Sequence, residues 1–410
     1  MFEVTLPGSK SHTHRAMICA LLAQGESLLK GWLRSEDTLL TLEAIQDLGA
    51  LVEETEEGLL VRGTGGRLKV PQKPLFLGNS GTSLRLLTAV STLSEGEVLL
   101  VGEKRLHQRP IGPLTEALRR WGVKVEDREG FPPVLVKGSV PRGGGNWVDC
   151  SQSSQFLSAL LLIAPYAERE SFIEPEGKKV SWPYVLVTLE VMEAFGLRVI
   201  EKDGGFFVPK GGFKPTVYHV PPDPSSATYV FLAGAITGRW VKVRGLNPRG
   251  FHPDLGFVEV LKRMGCEVVE GEDGISLRGR DLKGVEVEMG EMPDAVPALA
   301  VAAAFAEGET FIKGIGHLRL KESDRIAALE ANLRAMGVKV SCAEDSLKIE
   351  GQKEIRPCVI DPFGDHRIAM AFAIASLKVE GIRVVDGGCV KKSFPEFWSL
   401  FQELKEALCG

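Results

Sequence analysis

A chain of 410 residues with 44% hydrophobic and 25% charged side chains has ample material for a core and reads as an ordinary globular protein of two or three domains. Its formal charge of −5 argues against a nucleic-acid or membrane-surface partner. The seven cysteines are scattered and form no C-x-x-C pair, which excludes a disulfide frame and a zinc site and predicts reduced thiols in a cytoplasm.

No signal or transit segment is read before the first strand, Phe2–Leu6, and the apolar stretch around Ala295–Ala306 is too short to span a bilayer. After that strand a polar opening introduces an apolar helix, and the pattern recurs six times. The openings are KSHTHRA from Lys10, NSGTSLR from Asn79, QSSQFLS from Gln152, PDPSSAT from Pro222, MPDAVPA from Met292 and GDHRIAM from Gly364, spaced by about 70 residues. Each helix runs into a short strand closed by glycine, as in GESLLKG, GEVLLVG, GRWVKVRG, GETFIKG and GIRVVDGG; the third copy, ERESFIEPEG, lacks the leading glycine. A second helix then stops at Gly49, Gly122, Gly196, Gly265, Gly337 and Gly410, and all copies but the sixth continue into two strands joined by a polar turn. Apolar periodicity and the glycine stops predict these second helices over Thr41–Leu48, Leu114–Trp121, Val187–Phe195, Val258–Met264 and Ile326–Met336.

Self-similarity at a fixed period points to stacked or symmetric units. Six copies divide into two halves of three, expected as 9–223 and 224–410 with strand 1–8, and the Gly- and Pro-rich stretch Gly211–Pro224 is the expected hinge. The amino-terminal strand is expected to help complete the second half, so that the chain crosses between halves twice. Equivalent helix N-termini in a symmetric fold can converge, and their free N–H groups and partial positive charge favour anions. An anion-binding cleft is therefore expected from the architecture alone.

The openings also carry side chains suited to such a cleft. PGSKSHTHR places Lys10 beside Ser11, the expected N-cap, with Arg15 about one turn on; His12 and His14 face different sides of the helix, which argues against a metal pair and for surface positions. In GNSGTSLR, Asn79, Ser80 and Thr82 are available as caps, and Gly81 permits close backbone approach and positive φ, although a simple capped helix explains the segment as well. Arg109 precedes Pro110 in an extended turn, where a lone arginine is usually on the surface. Ser153, Ser154 and Gln155 offer neutral donors to a phosphate, and Ser181 and Tyr184 follow in VSWPY. Asp294 opens an almost wholly apolar helix, as an N-cap or as a base. In HLRLKESDR, a helix beginning near Glu322 would put Lys321 and Arg325 on one side of its first turn, where two cations oppose the helix dipole. Removing Arg325 is then expected to stabilise the empty protein slightly. GDHR supplies Asp365, His366 and Arg367, and VKKS supplies Lys392. The cations Lys10, Arg15, Arg109, Lys321, Arg325, Arg367 and Lys392 gather at or near the openings of a net acidic protein, which suggests a small polyanionic substrate or a pair of them. A phosphotransferase is disfavoured, because neither a Walker loop nor an acidic magnesium site is evident. A non-catalytic phosphometabolite-binding protein would be weakened by the carboxylates of Asp294 and Glu322.

Taken in order, LPGSKS, LFLGNSGTSLR, QRPIG, SSQF, SWPY, PD, LRLKESDR, GDHR and KKSFPEF make the chain resemble, over essentially its whole length, the 5-enolpyruvylshikimate-3-phosphate synthase family of enolpyruvyl transferases. The sister family acting on UDP-N-acetylglucosamine, the alternative within this group, would carry Asn after the first lysine and a reactive Cys before the R-P pair. Here Ser11 and the cysteine-free GEKRLHQ stand there. The resemblance implies an α/β fold of two similar domains, each of three βαβαββ repeats in an inside-out α/β barrel, closing over a cleft. It implies transfer of the carboxyvinyl group of phosphoenolpyruvate to the 5-hydroxyl of shikimate 3-phosphate, without metal or other cofactor, by a cytoplasmic monomer of aromatic amino acid biosynthesis. By matching motifs, Lys10, Ser11, Arg15, Ser153, Ser154, Gln155, Ser181, Asp294, His317 and Lys321 would bind shikimate 3-phosphate. Lys10, Asn79, Gly81, Arg109, Gln155, Arg325, Arg367 and Lys392 would bind phosphoenolpyruvate. Asp294, Glu322 and Lys10 would be catalytic, and glyphosate would compete at the phosphoenolpyruvate site. His317 stands where relatives carry Asn or His, Leu86 where some have proline and Trp182 where some have lysine.

Overall fold

The computed structural model describes residues 1–409, so Gly410, the last expected helix stop, lies outside the described residues. Twelve α-helices are found: α1 (Lys10–Leu22), α2 (Glu36–Asp47), α3 (Gly81–Val90), α4 (Gly112–Arg120), α5 (Gln155–Ile163), α6 (Pro183–Ala194), α7 (Pro224–Thr237), α8 (Gly256–Arg263), α9 (Val296–Ala304), α10 (Arg325–Ala335), α11 (His366–Ala375) and α12 (Phe397–Cys409). The odd-numbered helices are the six openings. They are buried nearly all round: α9 and α11 from end to end, α1 from His12 to Leu22 without a break. A helix enclosed on every side cannot be amphipathic, which is why these runs read as apolar throughout.

The second helices begin earlier than their periodicity predicts. At α2 the side chains of Ser35 and Thr38 form a reciprocal capping box, which starts the helix at Glu36 rather than near Thr41. Pro183 opens α6 in the same way, because its fixed φ suits a first helical turn and its missing N–H has no helical partner there.

Sheets form the outer layer. Glu26–Lys30, Glu97–Val101 and Glu309–Lys313 alternate between buried and more exposed residues, as strands do when one face packs on helices and the other meets water. In most repeats the strand before an opening helix pairs in parallel with the strand after it: Leu75–Phe76 with Glu97–Val101 around α3, Gly144–Asp149 with Ser171–Glu176 around α5, and Glu286–Glu288 with Glu309–Lys313 around α9. The later strand also pairs with one arm of the hairpin that ends the repeat, giving four-stranded mixed sheets. The first and fourth repeats exchange partners. Phe2–Thr5, which precedes α1, pairs with Val241–Arg244, and Val217–His219, which precedes α7, pairs with Glu26–Lys30.

This exchange divides the chain into two compact units, Gly8–Val220 and Met1–Pro7 together with the chain from Pro221 onward, each with its own apolar core. The amino-terminal strand thus serves the fourth repeat's sheet and does not stand in for the strand pair missing from the sixth. The sixth repeat keeps only Val359–Ile360 beside Arg383–Val384, and α12 covers it with Phe397, Leu400, Leu404 and Leu408. At the first crossing Gly8 has no room for a side chain, since a Cβ there would lie 2.0 Å from the Gly31 carbonyl oxygen. No helix among the described residues is long and apolar enough to cross a membrane.

Candidate active site

In the unit Gly8–Val220 the openings of α1, α3 and α5 carry the groups expected from sequence to bind anions. Ser9, not Ser11, precedes the first residue of α1, so Ser11 lies in the first helical turn. The Lys10 ammonium meets Asp37 Oδ2 at 3.0 Å; Asp37 sits in the first turn of α2, nearly buried, and the sequence reading gave it no role. Arg15 is 1% exposed, and all its partners are neutral oxygens: Nε donates to Thr188 Oγ1 at 2.7 Å, Nη1 to the Ser11 carbonyl at 2.9 Å and Nη2 to the Tyr184 carbonyl at 3.2 Å. Burial without a counter-charge pushes its pKa down to about 10. His12 and His14, expected at the surface, are buried instead: α1 is packed between α2, α3 and α6, and His14 Nδ1 finds Thr41 Oγ1 at 2.8 Å.

At α3, Ser80 is the cap and its hydroxyl accepts from the Ser83 N–H at 3.3 Å. Gly81 is the first residue of the helix and needs no positive φ; a Cβ there would lie 2.5 Å from Arg109 Cζ, so any side chain would have to push that guanidinium aside. Arg109 is buried rather than on the surface, its Nη1 donating to the Asn79 carbonyl at 3.0 Å. The Gln155 amide is fixed at both ends: Oε1 accepts from Arg85 Nη1 and Nε2 donates to Thr82 Oγ1, each at 2.9 Å. Arg85, given no role from sequence, is therefore part of this arrangement. Ser153 Oγ accepts from the Gln155 N–H at 3.2 Å, and Ser154 Oγ donates to the Ser181 carbonyl at 2.8 Å. Ser181 itself holds a φ of 53°, a left-handed conformation that costs a non-glycine residue free energy and tends to mark functional turns.

The other unit gathers carboxylates and guanidinium groups at the openings of α7, α9 and α11. Ala295 occupies the cap position of α9, so Asp294 lies one residue before it. Its Oδ1 accepts from Arg325 Nη1 and its Oδ2 from Arg367 Nη2, both at 2.8 Å. Arg325 reaches two further carboxylates: Nη2 donates to Glu322 Oε2 at 2.9 Å and Nε to Asp365 Oδ2 at 2.8 Å. Burial alone would lower the Arg325 pKa, but the carboxylates of Asp365, Glu322 and Asp294 outweigh it and raise the value above that of an ordinary arginine. Asp365, absent from the sequence-based site, both caps α11 through the Arg367 N–H and anchors Arg325.

Helix α10 begins at Arg325, because the Asp324 carboxylate accepts from the Ala327 N–H at 3.0 Å. Lys321 lies four residues earlier in extended backbone after the 3-10 turn Gly316–Leu320, so the expected pairing of Lys321 and Arg325 on one helical turn does not occur. His317 is buried within that turn, and Lys392 is buried at the end of the 3-10 turn Gly387–Lys392. The openings hold together through side chains: Arg367 on α11 reaches Asp294 before α9 and lies 3.5 Å from Tyr229 Oη on α7.

Residues 2–401 match the family model described as EPSP synthase (3-phosphoshikimate 1-carboxyvinyltransferase). A 3-phosphoshikimate 1-carboxyvinyltransferase of Methanosphaerula palustris is 44% identical over 402 residues, covering 96% of this chain and 95% of its own length. That of Methanospirillum hungatei JF-1 is 40% identical over 408 residues, covering 97% and 94%. A solved EPSP synthase from Acinetobacter baumannii superposes with a TM-score of 0.80 at 31% identity, covering 99% of this chain and 95% of that one. The chain belongs to the EPSP synthase family, the 3-phosphoshikimate 1-carboxyvinyltransferases.

Proposed function

We propose that this enzyme transfers the carboxyvinyl group of phosphoenolpyruvate to the 5-hydroxyl of shikimate 3-phosphate, releasing phosphate, in aromatic amino acid biosynthesis. Asp294 takes the proton of the attacking hydroxyl. Glu322 protonates C3 of phosphoenolpyruvate, which makes C2 electrophilic; the hydroxyl adds, and the tetrahedral intermediate expels phosphate. Ser11, Arg15, Ser153, Ser154, Ser181, His317 and Lys321 hold shikimate 3-phosphate. Asn79, Gly81, Arg109, Arg325, Arg367 and Lys392 hold phosphoenolpyruvate, and Lys10 and Gln155 serve both ligands. Fixed cations stabilise charge as it develops and need no reorganisation at the moment of reaction.

The observation that carries this reading is Asp294. It stands just before the cap residue of an apolar helix, and two buried guanidinium groups orient both its oxygens. Arg15, buried among neutral oxygens, supports an anionic partner on the other unit. The acidic net charge supports the absence of a nucleic-acid or membrane partner and the scattered cysteines a cytoplasmic setting, while a monomer is what the resemblance implies. The test is phosphate release from phosphoenolpyruvate measured with and without shikimate 3-phosphate. Release only with both is expected; release from phosphoenolpyruvate alone, or none with both, would sink the reading.

A further inference from the structure

Behind the Asp294–Arg367 pair lies a carboxyl group that the mechanism does not use. Asp254 is 2% exposed, in the 3-10 turn Pro253–Leu255. Its Oδ2 meets Ser225 Oγ at 2.5 Å, while its buried Oδ1 has no hydrogen-bond partner. Ser225 and Tyr229 lie four apart on one face of α7, so the turn that contacts Asp254 is followed by the turn that contacts Arg367. The charged and titratable groups facing Asp254 are Asp294 before α9, Arg367 on α11, Asp223 at the cap of α7, and His252 on its own turn. His252 Nδ1 accepts from the Asp254 N–H at 3.3 Å, which requires an unprotonated Nδ1.

We propose that Asp254 is a positioning residue held as a neutral carboxylic acid, which leaves the Arg367 guanidinium undivided for Asp294 and for the anion of phosphoenolpyruvate. An ionised carboxyl at this depth, with one oxygen unpaired, would carry an uncompensated charge beside a second carboxylate. Burial, with the Asp294 charge adding to it, pushes the Asp254 pKa up to about 7, so the proton is held at mildly acidic pH and lost above neutrality. Ionised Asp254 then draws on the Arg367 charge and weakens its hold on phosphoenolpyruvate. This inference rests on the proposed role of Arg367 as a phosphoenolpyruvate ligand.

The test compares the phosphoenolpyruvate KM of wild type and Asp254→Asn from pH 5.5 to 8.5. Asparagine keeps the shape and the acceptor for Ser225 but cannot ionise. The ratio of the two constants cancels the titration of phosphoenolpyruvate itself. Wild type over variant should be near unity at the acid end and rise by about threefold to tenfold at the alkaline end, as for a coupling of half to one pKa unit. The rise should persist in a His252→Gln background. A flat ratio, or one that His252→Gln abolishes, overturns the proposal. Should Asp254→Asn fail to fold, difference infrared spectroscopy of the wild type decides: a buried protonated carboxyl stretch must be present at pH 6 and lost by pH 8.5. Arg367→Lys separates the two readings, since an unchanged KM at pH 6 there refutes Arg367 as a ligand, whereas a raised KM with a flat ratio refutes only the role of Asp254.

Discussion

Asp294 shows how a single residue's surroundings decide between two roles its sequence left open. Both oxygens of its carboxylate are held by buried guanidinium groups, those of Arg325 and Arg367. Asp294→Asn should therefore retain the fold and bind both substrates within about a few-fold, yet lose about two to four decades in kcat; near-normal turnover would return Asp294 to a structural role. Gly81 is constrained by Arg109 rather than by its own φ. In Gly81→Ala the new methyl must displace that guanidinium, so the KM for phosphoenolpyruvate should rise and competitive inhibition by glyphosate should weaken. Equal inhibition of both proteins would remove the steric argument. Asp254 yields a stability prediction with a definite sign. Its pKa is raised in the folded state, to about 7, above the unfolded value. The folded protein therefore holds the proton more tightly, and stability relative to Asp254→Asn is greatest below about pH 4 and falls as pH rises through 7, by an amount on the order of 4 kcal/mol. Urea denaturation of both proteins at pH 5 and pH 8 checks this, and a difference that does not change with pH contradicts it.

Among the elements, the first turn of α10 overturned the expectation about Arg325. The sequence suggested a cation in conflict with a helix dipole, whereas the side chain is buried among three carboxylates. Arg325→Ala leaves Asp294, Glu322 and Asp365 without their shared cation and should destabilise the empty protein by about 3–5 kcal/mol, measured by denaturant midpoint. A loss below about 1 kcal/mol would mean that the carboxylates find other partners. The opening helices and the glycine-stopped second helices were legible in the sequence, because apolar runs, caps and stops are local signals. What lay beyond reach was non-local. His12 and His14 read as surface residues until α1 proved to be enclosed on every side. Asp37, Arg85 and Asp365 drew no role from sequence, although the last two stand within LFLGNSGTSLR and GDHR, because their partners Lys10, Gln155 and Arg325 lie 27, 70 and 40 residues away. The start of α10 was misread because Glu322 and Asp324 are both acceptable near a helix N-terminus, and only the Asp324 bond to the Ala327 N–H distinguishes them.

For the molecule as a whole, six copies of one unit form two cores, and the exchange of first strands between the first and fourth repeats ties the chain's amino terminus to its second half. The sequence placed the amino-terminal strand in the second half with two crossings, as found, but the partner strand of each exchanged strand is a non-local choice that neither short segment encodes. Cations concentrate at the repeat openings while the net charge stays at −5, so the positive potential is local and matched to small anions. The account stands on which bond of phosphoenolpyruvate breaks. Transfer of the carboxyvinyl group cleaves the bond between C2 and the bridging oxygen, whereas phosphoryl transfer would cleave the bond between that oxygen and phosphorus. Phosphoenolpyruvate carrying a heavy oxygen isotope at the bridging position, turned over with shikimate 3-phosphate, distinguishes them by mass spectrometry. The account predicts that the label leaves entirely in inorganic phosphate and that shikimate 3-phosphate gains a carboxyvinyl ether. Label retained in an organic product would contradict it.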